Sequence, residues 1–183
     1  MALRASVYKA DLTVSDLDRG HYGTHALTIA RHPSETEERM MIRLLAWALN
    51  ADEALEFGRG LSAEDEPDLV LRDLTGSVQL SVLVGLPDEK WVRKAAGRSA
   101  SVVVIAYGGH KARQWWDDQG PALARHANLV VLSIPPEAGA ELAAMAARQM
   151  QVSITVQEGQ IWADAGDRSV SFEPVVLKGD LTT

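Results

Sequence analysis

Hydrophobic positions recur along this chain in two rhythms, every second residue and every third to fourth, and the switches between them mark out the elements. The opening segment through Asp16 alternates in part and predicts a strand, with Leu3, Ala5 and Val7 on one face. Asp16-Leu17-Asp18-Arg19-Gly20 is turn chemistry, and His21 to Ala30 predicts the return strand of an antiparallel pair. Pro33-Ser34 then changes the rhythm. Met41, Ile42, Leu44, Leu45, Ala48 and Leu49 form the apolar face of a helix reaching Asn50, and Ser34 with Glu37 has capping-box spacing at its start.

Leu55 to Leu61, broken by Gly58 and Gly60, reads as a small strand or tight bend. Ser62 to Asp68 is an acidic loop, and Leu69 to Leu71 begins another strand before Asp73-Leu74-Thr75-Gly76 turns the chain. In the next strand Val78, Leu80, Val82 and Val84 share one face, with Gln79, Ser81 and Leu83 on the other. Pro87-Asp88-Glu89 opens a helix bearing Trp91, Ala95 and Ala96. Ser101 to Tyr107 and Asn128 to Ile134 are dense apolar strands separated by Gly108-Gly109 and two helical or turn-rich pieces. Glu137 to Met150 predicts a helix, Val152 to Val156 with Ile161 to Ala163 a hairpin around Glu158-Gly159, and Ser169 to Val175 a final strand. Strands alternating with helices between antiparallel ends predict an α/β fold, a mixed central β-sheet flanked by helices, as one domain over residues 1–183.

Composition narrows the function classes. With 183 residues and 46% hydrophobic content the chain can build a sizeable core. No apolar run is long enough to cross a bilayer, and the start from Met1 to Lys9 lacks the apolar core of a secretory leader, so a cytoplasmic protein with no membrane partner is expected. The absence of cysteine removes disulfides, thiolate metal sites and thiol nucleophiles. A net charge of -7 without a basic block argues against broad nonspecific nucleic-acid binding, while leaving room for a small basic patch.

Three clusters could carry chemistry. Arg31, His32, Ser34, Glu35, Glu38, Arg39 and Arg43 surround the start of the first helix, where Glu35, Arg39 and Arg43 follow four-residue steps. Such spacing can set a carboxylate beside cations for phosphate chemistry, but capping and surface ion pairing account for most of the same pattern. Glu64-Asp65-Glu66-Pro67-Asp68 could bind a hard divalent cation, or be a solvated acidic loop. Lys90, Arg93, Lys94 and Arg98 share one helical face that could hold phosphate groups or be ordinary surface charge. His21, His25, His110 and His126 form no recognisable metal-ligand spacing. For Trp115-Trp116 one core ring and one surface ring are expected, since adjacent helical residues diverge. No Walker loop, dinucleotide fingerprint or nucleophile elbow is present.

Ala30-Arg31-His32-Pro33-Ser34-Glu35-Thr36 with Glu38-Arg39-Met40, Asp65-Glu66-Pro67-Asp68-Leu69, Asp73-Leu74-Thr75-Gly76, and Gly85 with Pro87-Asp88-Glu89 together resemble the YaeQ family of bacterial proteins, over essentially the whole chain. That family is similar to the PD-(D/E)XK nuclease-like fold, so the resemblance implies a compact, restriction-endonuclease-like variant. It implies Glu38 and Asp68 as catalytic residues and ligands of Mg or Mn, with Lys90 as the basic assistant. Arg31, Arg39 and Lys94 are the phosphate-binding candidates beside them. The third acid of that scheme falls at Leu83, which cannot bind metal. The expected function is therefore a noncatalytic or degenerate nuclease-fold domain that binds nucleic acid or protein. The competing expectation is a Mg- or Mn-dependent phosphodiester hydrolase acting on DNA or RNA.

Overall fold

The computed structural model describes residues 4–181. It opens with a long antiparallel pair, β1 (Ser6–Asp16) and β2 (His21–Arg31), in which Ser6 faces Arg31 and Asp16 faces His21. Then come α1 (Glu37–Leu49), β3 (Leu55–Phe57), β4 (Leu69–Arg72) and β5 (Val78–Val84). The alternating middle is α2 (Glu89–Arg98), β6 (Ser101–Ala106), α3 (His110–Leu123), β7 (Leu129–Ser133) and α4 (Pro136–Ala144). Strands β8 (Gln149–Gln157), β9 (Gln160–Ala165), β10 (Arg168–Phe172) and β11 (Val175–Lys178) complete the described chain.

These strands divide into two mixed sheets rather than one central sheet. One has the order β10-β9-β8-β1-β2 and the other β11-β7-β6-β5-β4-β3. The division arises from a pairing that periodicity does not encode: β8 lies parallel to β1, with Lys9 opposite Gln149, and so draws the C-terminal hairpin onto the N-terminal one. In the second sheet β5, β6 and β7 run parallel, as helical crossovers require.

The layers follow from which faces are apolar. Every residue of α1 from Met40 to Leu49 is buried, so this helix can only lie inside, and it packs between the sheets against β1, β5 and β8 with α4 alongside. Residues of both sheets, including Leu12, Ile29, Val152, Val82, Val84 and Ile105, share that core. Helices α2 and α3 cover the far face of the second sheet with Val92, Ala112, Trp115 and Leu123. The far face of the first sheet is open and polar, carrying Lys9, Asp11, Thr13, Gln151 and Ser153.

Local departures from the sequence reading have physical causes. In β1 the inward face is Tyr8, Ala10, Leu12 and Val14, while Ala5 and Val7 point outward; Leu3 lies outside the described residues. A parity error of one residue reverses every side chain of a strand. The predicted helix through Met150 ends at Ala144, and Met150 joins Val152, Ile154 and Val156 on the inner face of β8. Two strands, β10 and β11, replace the single final one. At the start of α1 the cap is Thr36, whose side chain accepts from the Arg39 amide, whereas Ser34 pairs with His32 Nδ1 at 2.6 Å. Thr36→Ala should therefore cost about 1 kcal/mol in urea unfolding. Ser34→Ala should stay within about 0.5 kcal/mol; equal losses would contradict this assignment of the cap.

Candidate functional site

An ion-pair lattice sits where α1 meets the ends of β4 and β5. Glu35 precedes the helix, and its backbone is fixed on both sides: its amide donates to His32 O, and its carbonyl accepts from Arg31 Nε at 2.9 Å. The four-residue steps of α1 then bring Arg39 and Arg43 over it. Arg43 Nε donates to Glu35 Oε1 at 2.8 Å and Nη2 to Oε2 at 2.7 Å, a bidentate pair with both side chains only 1% exposed. Arg43 Nη2 also donates to Ala30 O.

Arg39 carries the lattice across to the second sheet. Its Nη1 donates to Glu35 Oε1 at 2.8 Å, and its Nη2 donates to Asp68 Oδ1 at 2.7 Å and to Val84 O at 3.2 Å. Asp68 is buried, and its other oxygen accepts the Val84 amide at 2.7 Å. Burial acts to lower the Arg39 pKa, but Asp68 and then Glu35 outweigh it and hold the guanidinium above its usual value. Two carboxylates and two guanidiniums thus balance one another, with every carboxylate oxygen accepting at least one hydrogen bond.

Glu38 takes no part. It is half-buried, its side chain forms no hydrogen bond or ion pair among the described residues, and it lies against Gly139 of α4, where a Cβ would collide with its carboxylate. Tyr107, at the end of β6, sits beside it. Burial raises the Tyr107 pKa, Arg39 opposes this, and the nearby Glu38 and Glu35 add to the rise. Leu83 turns the opposite way, 2% exposed among Val92, Val104 and Trp115 beneath α2 and α3, while Val82 and Val84 face α1. An acid at position 83 would not meet Arg39 or Asp68.

The basic residues separate as well. Lys90 is exposed and lines a surface hollow with Glu64, Asp65, Asp88, Trp91 and Lys94. There Lys94 pairs with Asp65 at 3.1 Å and lies over the Trp91 ring. Arg31 turns inward, with Nη1 reaching Tyr8 Oη at 3.3 Å. Among the described residues no three His, Asp or Glu side chains converge to hold a metal. The donor set does not fit the Mg or Mn that the nuclease resemblance implies, since both oxygens of Asp68 already accept from N–H donors. Tyr107 and the Val84 backbone were absent from the sequence reading, because only the fold brings them to α1.

A second feature lies beyond Tyr107 and the start of α4. Ala112, Arg113, Trp116, Ile134, Pro135 and Leu177 line a mainly apolar cleft of about 350 Å³ beside the edge strand β11. Val175 and Val176 of that strand are 54% and 46% exposed. Trp115 is buried, with its indole N–H on Pro87 O, and Trp116 faces the cleft, so the two adjacent rings divide as expected.

Residues 1–174 match the family model described as YaeQ protein. The chain is 47% identical over 162 residues to "Uncharacterized protein YaeQ" of Salmonella typhi and 45% identical to that of Escherichia coli (strain K12), covering 88% of this chain and 90% of each relative. Among solved structures it superposes on the YaeQ protein from Xanthomonas axonopodis pv. citri with a TM-score of 0.93 at 47% identity, covering 96% of this chain and 99% of the other. For the YaeQ protein from Pseudomonas syringae the TM-score is 0.90 at 34% identity, with 97% and 98% covered. No helix among the described residues is long and apolar enough to cross a membrane.

Proposed function

The chain belongs to the YaeQ family, and from that premise we propose that it is a noncatalytic domain, a degenerate form of a nuclease-like fold, that acts in the cytoplasm by binding a protein partner. The observation that carries this reading is that both Asp68 oxygens are turned to donors within the fold, one to Arg39 and one to the Val84 amide. A carboxylate that positions a catalytic metal turns an oxygen toward the ion and its partner acids, whereas this one is paired with a guanidinium and clamps α1 to β5, with no group of three His, Asp or Glu side chains converging there among the described residues. The candidate phosphate binders are likewise committed: Arg31 and Arg39 inward, Lys94 to Asp65. The net charge of -7 weighs against nucleic acid as the partner. The exposed valines of β11 and the adjoining cleft supply the apolar, edge-strand chemistry that a protein segment can use.

The unengaged carboxylate of Glu38 beside Tyr107 favours the second reading, the phosphodiester hydrolase. That reading requires Arg39 to release Asp68.

One set of measurements separates the two. The purified chain is expected to leave single- and double-stranded DNA and RNA intact with Mg or Mn. Asp68→Asn is expected to lower stability by about 1.5–3 kcal/mol, the loss of hydrogen bonds to a charged group. Metal-dependent cleavage abolished by Asp68→Asn or Glu38→Gln in a still-folded chain would establish the hydrolase instead. In cells, partner proteins should be lost on Val175→Asp and kept on Lys90→Ala with Lys94→Ala. Salt-sensitive nucleic-acid binding lost with the two lysines would overturn the protein-partner reading.

A further inference from the structure

His21 and His25 stand four residues apart on β2, where same-face side chains are separated by roughly 13 Å along the strand and ordinarily do not touch. Here the two imidazoles lean toward one another over Gly23, with their rings 19° from parallel and their Nε2 atoms hydrogen-bonded at 3.2 Å, so a cation would take the place of the proton the two nitrogens share. The bare glycine permits this: a Cβ at position 23 would stand 3.1 Å from His25 Nε2 and 3.9 Å from His21 Nε2. We infer that His21, Gly23 and His25 form a two-histidine clip for a divalent transition-metal cation of the zinc, copper or nickel class.

The spacing suits such an ion. Two nitrogen donors at about 2.0–2.1 Å from a tetrahedral Zn²⁺ lie roughly 3.3 Å apart, close to the separation already present. Imidazole is the ligand these borderline cations prefer, whereas Mg and Ca favour oxygen. One ring is held in advance. His25 packs edge-on against Trp47, with centroids 4.7 Å apart, and Trp47 is fixed in turn by its indole N–H on Leu55 O at 3.1 Å.

Asp16, opposite His21 in register, is occupied by the Arg19 amide at 2.9 Å. No third His, Asp or Glu converges on the pair among the described residues, so water completes the coordination. The clip lies at the far end of α1 from the Glu35–Arg39–Asp68 lattice and is independent of the proposed function.

The test is a Zn²⁺ titration of the full chain against a chromophoric chelator, with the imidazole nitrogens followed by NMR. One ion per chain is expected, shifting the ring signals of both His21 and His25. His21→Gln, His25→Gln and Gly23→Ala should each weaken binding by roughly tenfold or more, while His32→Gln leaves it unchanged. Circular dichroism of each variant checks the fold, and Gly23→Ala tests the clip with both histidines retained. No Zn²⁺ binding at concentrations near the protein's own, or binding indifferent to all three substitutions, would overturn the inference.

Discussion

Leu83→Glu should destabilise the chain by more than about 4 kcal/mol, and where the variant still folds it should bind no more Mn than the parent. The family resemblance implies an acid at this position, so restoring one looks like a repair. The structure gives the opposite expectation. Leu83 lies in an apolar cluster with Val92, Val104 and Trp115, covered by α2 and α3. A carboxylate there would be buried without a partner, on the face of β5 turned away from Asp68. It would either hold a proton in the core or push the helices off the sheet. Thermal unfolding and Mn titration of the variant decide the matter. A well-folded Leu83→Glu with parent-like stability and a new Mn site shared with Asp68 would mean that β5 presents its other face to α1.

The same strand shows how far the sequence could be read. Its alternation correctly separated Val82 and Val84 from Leu83, but from Ser81 to Val84 every residue of β5 is buried, so alternation alone does not say which face meets α1. The N-terminal hairpin, α1 and the turn at Glu158-Gly159 were legible because their signals are local. The β1–β8 pairing, which makes two sheets out of the expected one, joins segments at opposite ends of the chain and leaves no local trace.

The candidate site divides in a similar way. Glu35, Arg39 and Arg43 announced their pairing by spacing, yet the same spacing describes a solvated surface ladder. Their burial depends on α1 lying between two sheets, which the sequence did not disclose. Asp68 came into view as part of an acidic loop, while its neighbours separate: Glu66 pairs with Arg59, and Asp65 with Lys94. The His21–His25 contact was hidden because residues four apart touch readily on helices and not on strands. Gly23 between them was the one available signal.

Glu35→Ala should cost about 3–5 kcal/mol, because it strands a guanidinium rather than merely deleting a contact. Arg43 is 1% exposed, and Glu35 is the sole carboxylate paired with it among the described residues; without it, the backbone carbonyl of Ala30 is the one acceptor among them still bonded to the Arg43 side chain. Arg39 fares better, retaining Asp68 and Val84 O. For a chain of this size the loss corresponds to a fall in Tm on the order of 10 °C. Converting the whole pair to apolar residues separates a stranded charge from a loss of shape. Glu35→Leu combined with Arg43→Met removes both charges and keeps much of the volume, so it should recover most of the stability lost by Glu35→Ala. Recovery would show that the Glu35–Arg43 pair costs about as much in desolvation as it returns in pairing, and that these two charges matter chiefly to each other. If Glu35→Ala costs less than about 1 kcal/mol, the range of an exposed pair, Arg43 must have a route to solvent.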